Sequence, residues 1–394
     1  MLNFVKRITS ALTVLTLSLA LSLPASAASK TIKVYIDGSP ISFSAGAPYT
    51  QQGTTLVPFR ALFEKLGLKV DWNAKTQTVT GKKNGLAIGL TIGSNRATVN
   101  GVVKKLSTTP VTVKGTTYIP LRFIGEASGA DVEWDSDSSS IYIHTAASVA
   151  LDEQQIRTVL NQSIAYFNNK DIAKVADLAS SDSPIKDSVD SLRQEAEDYP
   201  QFSKLADLKI VNLDQRMGEA VVQTTEEATR TGGIYIPDTR VTYVYTLVKE
   251  EGSWKIYDFS SQRVDYFVSQ DTLAKSITVP SSDETSLKQL IDTYIKSFND
   301  KNLDGMLSTL DPSLATDDFK SDITSYFKEY EFKSTTPTVK IINYTAEEAA
   351  VYVEENETVK ADNETYQQTY KYVYVMGKSK SGSWLITDTF TLAE

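Results

Sequence analysis

The chain has 394 residues, of which 41% are hydrophobic and 23% charged, a composition typical of two or three globular domains rather than of a disordered or fibrous protein. Its formal charge of −9 disfavours a general nucleic-acid binder, so no nucleic-acid partner is expected. Cysteine is absent and histidine occurs once, at His144, which excludes disulfides, thiol catalysis and a multi-histidine metal centre.

Residues 1–27 have the features of a secretory leader. Lys6 and Arg7 precede an apolar run, and the segment ends in an A-x-A cleavage pattern at Ala27. The run is short for a transmembrane span and contains hydroxyl residues, so no transmembrane segment is expected after cleavage. The sequence therefore predicts a secreted protein, either released or associated with the cell wall, and the missing cysteines suit a Gram-positive bacterium.

A motif occurs twice in the next part of the chain, with matching positions separated by 62 residues. Each copy, at 54–72 and 116–134, contains Thr-Thr, two apolar residues, Pro, an apolar residue and Arg, followed by Glu, Gly, Val and Trp at fixed spacing. The pattern predicts a strand, a short helix that Pro opens and Gly closes, and a second strand. Between the copies, alternation over 85–113 with glycine turns predicts a β-meander.

The doubled motif resembles the copper amine oxidase N-terminal domain, also called the stalk domain, and we assign residues 28–146 to it. The resemblance implies a small α+β module that takes no part in catalysis. The oxidase itself is not expected, because its copper needs three histidine ligands. An acidic run at 131–137 is typical either of a calcium site or of a solvated turn. It lacks the glycine and the final glutamate of an EF-hand loop, so no metal is expected.

The second half of the chain repeats at a longer period. The repeats predict two homologous modules, at residues 151–268 and 283–394, joined by small polar linkers at 145–151 and 269–283. The matching segments, at offsets of 131 and 130, are Phe167-Asn168-Asn169-Lys170 with Phe298-Asn299-Asp300-Lys301, and Gly252-Ser253-Trp254 with Gly382-Ser383-Trp384.

Each module begins with an amphipathic helix and shorter helical stretches, and then continues as four strands rich in aromatic and β-branched residues. Helices followed by a long antiparallel sheet define the α+β class. This order, the N-x-K-[DN] end of the first helix and the closing G-S-W-x-I-x-D strand resemble the nuclear transport factor two-like superfamily. The resemblance implies a cone-shaped module with a pocket between helices and sheet, which often dimerises through its sheet.

Tyrosines alternate along one strand of each module and therefore line one face of each sheet. They are Tyr243 and Tyr245 in the first module, and Tyr370, Tyr372 and Tyr374 in the second. If that face lines the cone, the tyrosines are candidate ligand-binding residues for an apolar or sugar-like molecule. The alternative is that they fill the cone or cover an interface between modules.

Asp258 and Asp388 are matched positions in the closing strands. Alternation places each on the face of the preceding Trp and Ile, which is expected to be the core side. Enzymes of the superfamily commonly use such an Asp in the cone, so both are candidate ligand-binding residues. The alternative is that each faces solvent or accepts backbone hydrogen bonds. No catalytic residue, metal or cofactor is assigned.

These features favour an exported, non-enzymatic binding or scaffold protein of the bacterial cell envelope. In this hypothesis the stalk-like domain presents two cone modules that bind a cell-wall polymer, a small ligand or another envelope protein. One alternative is an isomerase-like or dehydratase-like enzyme that uses an Asp/Tyr pocket. Another is a purely structural pairing of modules, which includes a homodimer formed through the cone sheets.

Overall fold

The computed structural model describes residues 31–361 and 364–393, so the predicted leader lies outside the described residues. The chain divides into two compact units, Met1–Thr145 and Ala146–Glu394. None of the described helices combines the length and the apolar character needed to cross a membrane.

The first unit is rich in short strands, with two short helices. Its strands are β1 Lys33–Ile36, β2 Ser39–Pro40, β3 Tyr49–Gln51, β4 Thr54–Pro58, β5 Lys69–Asn73, β6 Thr78–Lys83, β7 Leu86–Thr91, β8 Arg96–Val99, β9 Val102–Lys105, β10 Val111–Val113, β11 Thr116–Pro120, β12 Asp131–Asp135 and β13 Ser140–His144. Its helices are α1 Phe59–Lys65 and α2 Leu121–Ala127. Three sheets result, in the orders β12-β13-β1-β2, β10-β11-β4-β3 and β5-β6-β7-β8-β9.

The two copies of the sequence motif pair with each other around a local twofold axis. Strands β4 and β11 are antiparallel, and Val57 lies opposite Ile119, its equivalent at offset 62. Both residues are fully buried, and each strand leads through a proline directly into a helix. The predicted strand–helix–strand order is therefore confirmed. The predicted meander is confirmed in part, because β10 leaves the five-stranded sheet to pair with β11.

The same helix-to-sheet contact occurs in both copies, but the large residue and the glycine have swapped positions between them. Phe63 in the first copy packs over Gly81, where an added Cβ would lie 2.9 Å from the Phe63 ring. In the second copy the equivalents are Gly125 and Ile143, and a Cβ on Gly125 would lie 2.4 Å from Val132. Each glycine thus allows the close approach of helix to sheet that its copy requires.

The second unit contains two modules, each with helices followed by a four-stranded antiparallel sheet. The first module has α3 Ala146–Asn168, α4 Ile172–Asp177, a 3-10 turn Pro184–Ser188, α5 Val189–Asp198, β14 Gln201–Asp214, β15 Glu219–Arg230, β16 Asp238–Glu250 and β17 Ser253–Phe267. After α6 Gln270–Ala274, the second has α7 Ser281–Asn299, α8 Leu303–Leu307, α9 Asp317–Glu329, β18 Glu331–Tyr344, β19 Glu348–Ala361, β20 Glu364–Lys378 and β21 Trp384–Thr391.

The α+β class is confirmed, with both sheets in sequential strand order. The predicted linker at 145–151 is wrong, because α3 begins at Ala146 and continues without a break into the predicted first helix. The segment 269–283 is also partly helical, since it contains α6 and the start of α7. Small polar residues permit either a linker or a helix, so composition does not distinguish the two.

The repeated N-x-K motif joins the first helix of each module to the first strand of its sheet. Asn168 donates to the Ser203 carbonyl at 2.7 Å and accepts from the Ser203 N–H at 2.7 Å. Asn299 makes the same pair of bonds with Ser334, at 2.8 and 2.7 Å. The motif is therefore a structural device, and its recurrence follows from the shared fold.

A buried acid joins the first helix of the first module to the far end of its sheet. Asp152 accepts hydrogen bonds from Trp254 Nε1 at 2.9 Å, from Gln215 and from the Lys249 ammonium group, which also lies 5.5 Å from the Trp254 ring. Burial alone would raise the pKa of Asp152, but these donors hold it below its ordinary value. The G-S-W motif thus supplies the tryptophan of this clamp.

The second module repeats the acid, lysine and tryptophan of the clamp, but Tyr344 donates in place of Gln215, and Trp384 Nε1 has no hydrogen-bond partner among the described residues. Asp283 accepts from Lys378 at 3.1 Å and from the Tyr344 hydroxyl at 2.6 Å. Lys378 lies 4.8 Å from the Trp384 ring. The hydrogen bonds from Tyr344 and Lys378 lower the pKa of Asp283.

The outer face of the second sheet is apolar and is covered by the first module. Tyr235, from the loop after β15, packs there together with Val268 and Leu273 of the connecting segment. The Tyr235 N–H donates to the Glu348 carboxylate at 3.2 Å. The covered residues of the second module are Ile342, Ala350, Tyr352, Val373, Val375 and Leu392. The two modules of one chain are therefore packed together through this face.

Candidate functional site

A cavity of about 110 Å³ lies inside the cone of the first module, between the sheet and the helices. Apolar side chains form most of its wall, and a few polar groups converge on it. The lining residues are Ser163, Ile164, Phe167, Val175, Ile185, Leu192, Glu195, Gln201, Ser203, Glu226, Tyr243, Tyr245, Ile256 and Phe259.

The predicted tyrosines lie on the inner faces of the two sheets. Tyr243 and Tyr245 line the cavity with ring centroids 5.9 Å apart, and Phe259 lies within 6 Å of both rings. In the second module Tyr372 and Tyr374 pack with that module's own core. Tyr370 lies beside Tyr372 at 6.0 Å. Their role in ligand binding remains a prediction.

Asp258 and Asp388 do not face the core, so the expectation from strand alternation is wrong. Thr246 lies opposite Asp258 while Leu247 lies opposite Ile256, so Tyr257 is the extra residue of a β-bulge immediately before Asp258. The same shift occurs before Asp388. Because a bulge adds a residue, it reverses the alternation beyond it. Both carboxylates are exposed, and each accepts a hydrogen bond from the next backbone N–H.

The buried acid of the cone is Glu226, which the sequence analysis missed. Its side chain is on the inner face of β15 and the residue is only 9% exposed. Its carboxylate accepts from the Tyr245 hydroxyl at 2.9 Å and from the Thr224 hydroxyl at 3.1 Å. Burial nevertheless raises the pKa of Glu226. The sequence does contain a pattern that indicates this position. Every second residue of β15 faces inward, and Thr224 and Glu226 are the polar members of an otherwise apolar series.

Two further groups of the cavity have shifted pKa values. Burial raises the pKa of Glu195, which projects from α5 into the cavity. Burial, with the charges of Glu226 and Glu195 nearby, raises the pKa of Tyr243 to about 12. The cavity therefore brings together two carboxyl groups and a phenol whose pKa values are all raised, chiefly by burial.

The second module has the same inner Glu and Tyr positions but fills the corresponding space. Pairing across the strands equates Glu226 with Glu355 and Tyr243 with Tyr372, at an offset of 129. Larger side chains replace three cavity residues at an offset of 131: Ser163 by Tyr294, Glu195 by Tyr326, and Gln201 by Phe332. Tyr326 and Phe332 pack with Phe298 at 5.9 and 4.4 Å. Side-chain volume at three positions thus distinguishes the two cones.

The size of the first cavity limits what it can hold. Sites for small organic ligands usually measure about 300–1,000 Å³, whereas one water molecule occupies about 30 Å³ in the liquid. A cavity of about 110 Å³ matches a few waters or a very small polar molecule.

Replacing Glu226 by glutamine is expected to stabilise the protein at neutral pH, by about 1 kcal/mol. Burial disfavours the ionised form of Glu226 in the folded protein. The resulting loss of folding free energy is absent below the ordinary glutamate pKa of 4.5 and grows as the pH rises through the higher folded-state pKa. Thermal unfolding of Glu226→Gln and wild type should agree near about pH 4 and diverge by about pH 8.

The matched control is Glu227→Gln, on the opposite face of the same strand. Glu227 forms exposed ion pairs with Arg240 and Lys204, whose hydrogen bonds lower its pKa. This variant should not gain stability at high pH. A Glu226→Gln variant that is less stable than wild type at about pH 8 would contradict the assignment.

No metal site is found in the part of the chain that the structure describes, where no three acidic or histidine side chains converge. In the acidic run of the first unit, Asp135 accepts from the N–H groups of Asp137 and Ser138 at 2.8 and 3.3 Å. This is the arrangement of a side-chain-stabilised turn. His144, at the end of β13, is buried in the same unit.

The fold and the site define a stalk-like β-rich domain followed by two joined cone modules. The family model described as "Copper amine oxidase N-terminal domain" matches residues 35–143, which confirms the resemblance inferred from the doubled motif. The model described as "Anti-sigma-I factor RsgI9, C-terminal domain" matches twice, at residues 158–267 and 289–393. The two matches of this second model together cover more than half of the chain. The chain therefore belongs to the family of the anti-sigma-I factor C-terminal domain, with one copy of that domain in each cone module.

A curated relative and two solved structures are also similar to parts of the chain. The relative, named "Protease inhibitor", from Brevibacillus choshinensis, is 29% identical over 142 residues, 36% of this chain. The match spans 41% of that relative's length. A ketosteroid isomerase-like protein from Erwinia carotovora atroseptica is 16% identical over 29% of this chain and all of its own, with a TM-score of 0.26. An Ntf2-like protein involved in plasmid conjugation is 9% identical over 61% of this chain and 96% of its own, with a TM-score of 0.22.

Proposed function

We propose that this protein is an exported, non-enzymatic binding protein of the bacterial cell envelope, which binds a macromolecule at its surface. The observation that carries the proposal is the state of the two cones. The first encloses only about 110 Å³, and aromatic side chains occupy the equivalent space in the second. Neither interior offers the volume of a usual substrate site.

The names of related proteins support a protein or polymer target. The matched family is named for an anti-sigma factor and the curated relative for a protease inhibitor, and both names denote action on another protein. The leader predicted at residues 1–27 supports export, and we infer the cell wall or a protein within it as the site of action. The stalk-like domain acts as the support in this proposal.

The test is co-sedimentation of the mature chain, residues 28–394, with purified Gram-positive cell walls. The fragments 28–145 and 146–394, divided between the two compact units, identify the unit that binds. We expect the mature chain and one fragment to pellet with the walls. If no species pellets with the walls, the wall-binding form of the proposal fails.

A second candidate is a small-ligand or proton-transfer site in the first cone, favoured by Glu226 and Tyr243 inside an apolar cavity. The variant Ser163→Tyr/Glu195→Tyr/Gln201→Phe fills the cavity with the residues that the second module carries at equivalent positions. Under the proposed function it should pellet as wild type does. If filling the cavity abolishes binding, the cone is the functional site and the second candidate replaces the first.

A further inference from the structure

A groove of about 420 Å³ lies where the first module, the connecting segment and the second module meet. Its volume is within the usual range for small-molecule sites, and such sites occur preferentially where domains meet. It is separate from the cone cavity, because the two share no lining residue. Tyr235 and Phe267 provide aromatic surface, and Ile342 provides part of the apolar wall.

The groove contains charges of both signs. Arg230 and Lys275 are its cations, and Asp238 and Asp271 are its acids. The Arg230 guanidinium is oriented by the Gly233 carbonyl at 2.6 Å and lies 5.1 Å from the Tyr235 ring. Within the described part of the chain, the Asp238 carboxylate accepts one hydrogen bond, from the Arg230 backbone N–H at 3.1 Å. Among residues 31–361 and 364–393, none of the four forms a side-chain ion pair within 4.0 Å.

A polar side chain of the groove is also left without a partner. The side-chain nitrogen of Asn343 is buried and has no hydrogen-bond partner among the described residues. A buried donor is normally satisfied, so the unmatched Asn343 amide beside the groove is a donor that a groove occupant or a bound water can satisfy. The equivalent residue of the first module, Asn212, is exposed to solvent. The unmatched amide is thus particular to the position between the modules.

We propose that this groove binds a dipeptide-sized zwitterion. Arg230 and Lys275 complement a carboxylate, and Asp238 and Asp271 complement an ammonium group. The Asn343 amide complements the carbonyl of the intervening peptide bond. The aromatic wall suits an apolar side chain of the ligand. The groove's two positive and two negative charges sum to zero, which matches a ligand with no net charge.

The probe is the dipeptide Ala-Phe, titrated into the mature chain and followed by calorimetry. We expect saturable binding with a dissociation constant of about 1 mM or below. N-acetyl-Ala-Phe and Ala-Phe-amide, each lacking one charge, should bind at least about tenfold more weakly. Absence of saturable binding, or equal binding of the blocked peptides, would overturn the proposal.

The variants Asn343→Ala and Asn212→Ala are the matched pair. Both remove an amide at an equivalent position of β18 or β14, but only Asn343 lines the groove. Asn343→Ala should weaken Ala-Phe binding about tenfold or more, whereas Asn212→Ala should leave it unchanged. Thermal unfolding of both variants verifies folding. Equal affinity of the two folded variants contradicts the assignment. The proposal does not depend on wall binding.

Discussion

Tyr235→Ala is expected to destabilise the second unit by about 3–5 kcal/mol, the usual cost of truncating a large buried aromatic side chain. Tyr235 is 7% exposed and lies within the apolar cluster on the outer face of the second sheet. Its removal exposes valine and isoleucine side chains of β18 and β20, which Val268 and Leu273 then cover only in part. Calorimetry of the mature chain should show a lower unfolding temperature and separate transitions for the two modules.

The control for this variant is Tyr366→Ala. Tyr366 is an exposed tyrosine of the second module whose hydroxyl bonds to Glu364 at the surface. Its replacement should change stability by no more than about 0.5 kcal/mol. If both variants lose equal stability, or if Tyr235→Ala retains one cooperative transition at the wild-type temperature, the modules are not stabilised by this contact.

The equivalent face of the first module explains why the covering is one-sided. At the positions of Tyr352 and Val375, the first module carries Gln223 and Thr246. At these two positions the first module has polar side chains where the second module, which meets Tyr235, has apolar ones. The homodimer expected through the cone sheets remains a prediction, and on the second module this face is already occupied within one chain.

Asp152→Asn is expected to destabilise the first module by about 2–3 kcal/mol at neutral pH. Asp152 is 2% exposed and receives three side-chain donors, and breaking a buried pair by removing one partner costs about 3–5 kcal/mol. The lower figure is used because the Lys249 side chain is 30% exposed and can regain water. Urea unfolding of the mature chain, followed by tryptophan fluorescence, measures the change.

The pH dependence of this loss has a defined sign. The pKa of Asp152 in the folded protein is below its ordinary value of 3.8, so the clamp contributes fully above that value. Its contribution disappears as the pH falls through the folded-state pKa. The difference between wild type and Asp152→Asn should therefore shrink as the medium is acidified below about pH 4.

The matched control is Asp190→Asn, an acid of the same module that pairs with Arg193. The Asp190 side chain is 96% exposed, so its ion pair should contribute at most about 0.5 kcal/mol. A loss for Asp152→Asn no larger than that of Asp190→Asn would show that the clamp does not stabilise the module.

Much of the candidate site could have been reached from the repeats. The offset of 131 that relates Phe167 to Phe298 also relates Glu195 to Tyr326 and Gln201 to Phe332. Comparing side-chain volume at matched positions would have indicated an open and a filled cone. Glu226 was harder to find. To recognise it as a cavity residue, one must know which face of β15 is inward and that the offset between the modules changes to 129 within the sheet.

The aspartates show where sequence reasoning fails for a physical reason. Alternation along a strand has a period of two only while the pairing is regular. The bulges before Asp258 and Asp388 insert one residue each and turn both carboxylates outward. A bulge is decided by how two strands fit together, so the sequence of one strand does not reveal it.

The sequence by itself determined the domain order, the α+β class and the doubled stalk-like motif. Hydrophobic periodicity and repeats are properties of the order of residues along the chain, so they can be recognised without any knowledge of three-dimensional distances. Tertiary structure alone decided which sheet face is covered, which way Asp258 and Asp388 face, and that a groove with charges of both signs forms between the modules. Those features depend on distances between residues such as Tyr235 and Ile342, which are far apart along the chain. Their contact is fixed by packing, which the linear pattern does not record.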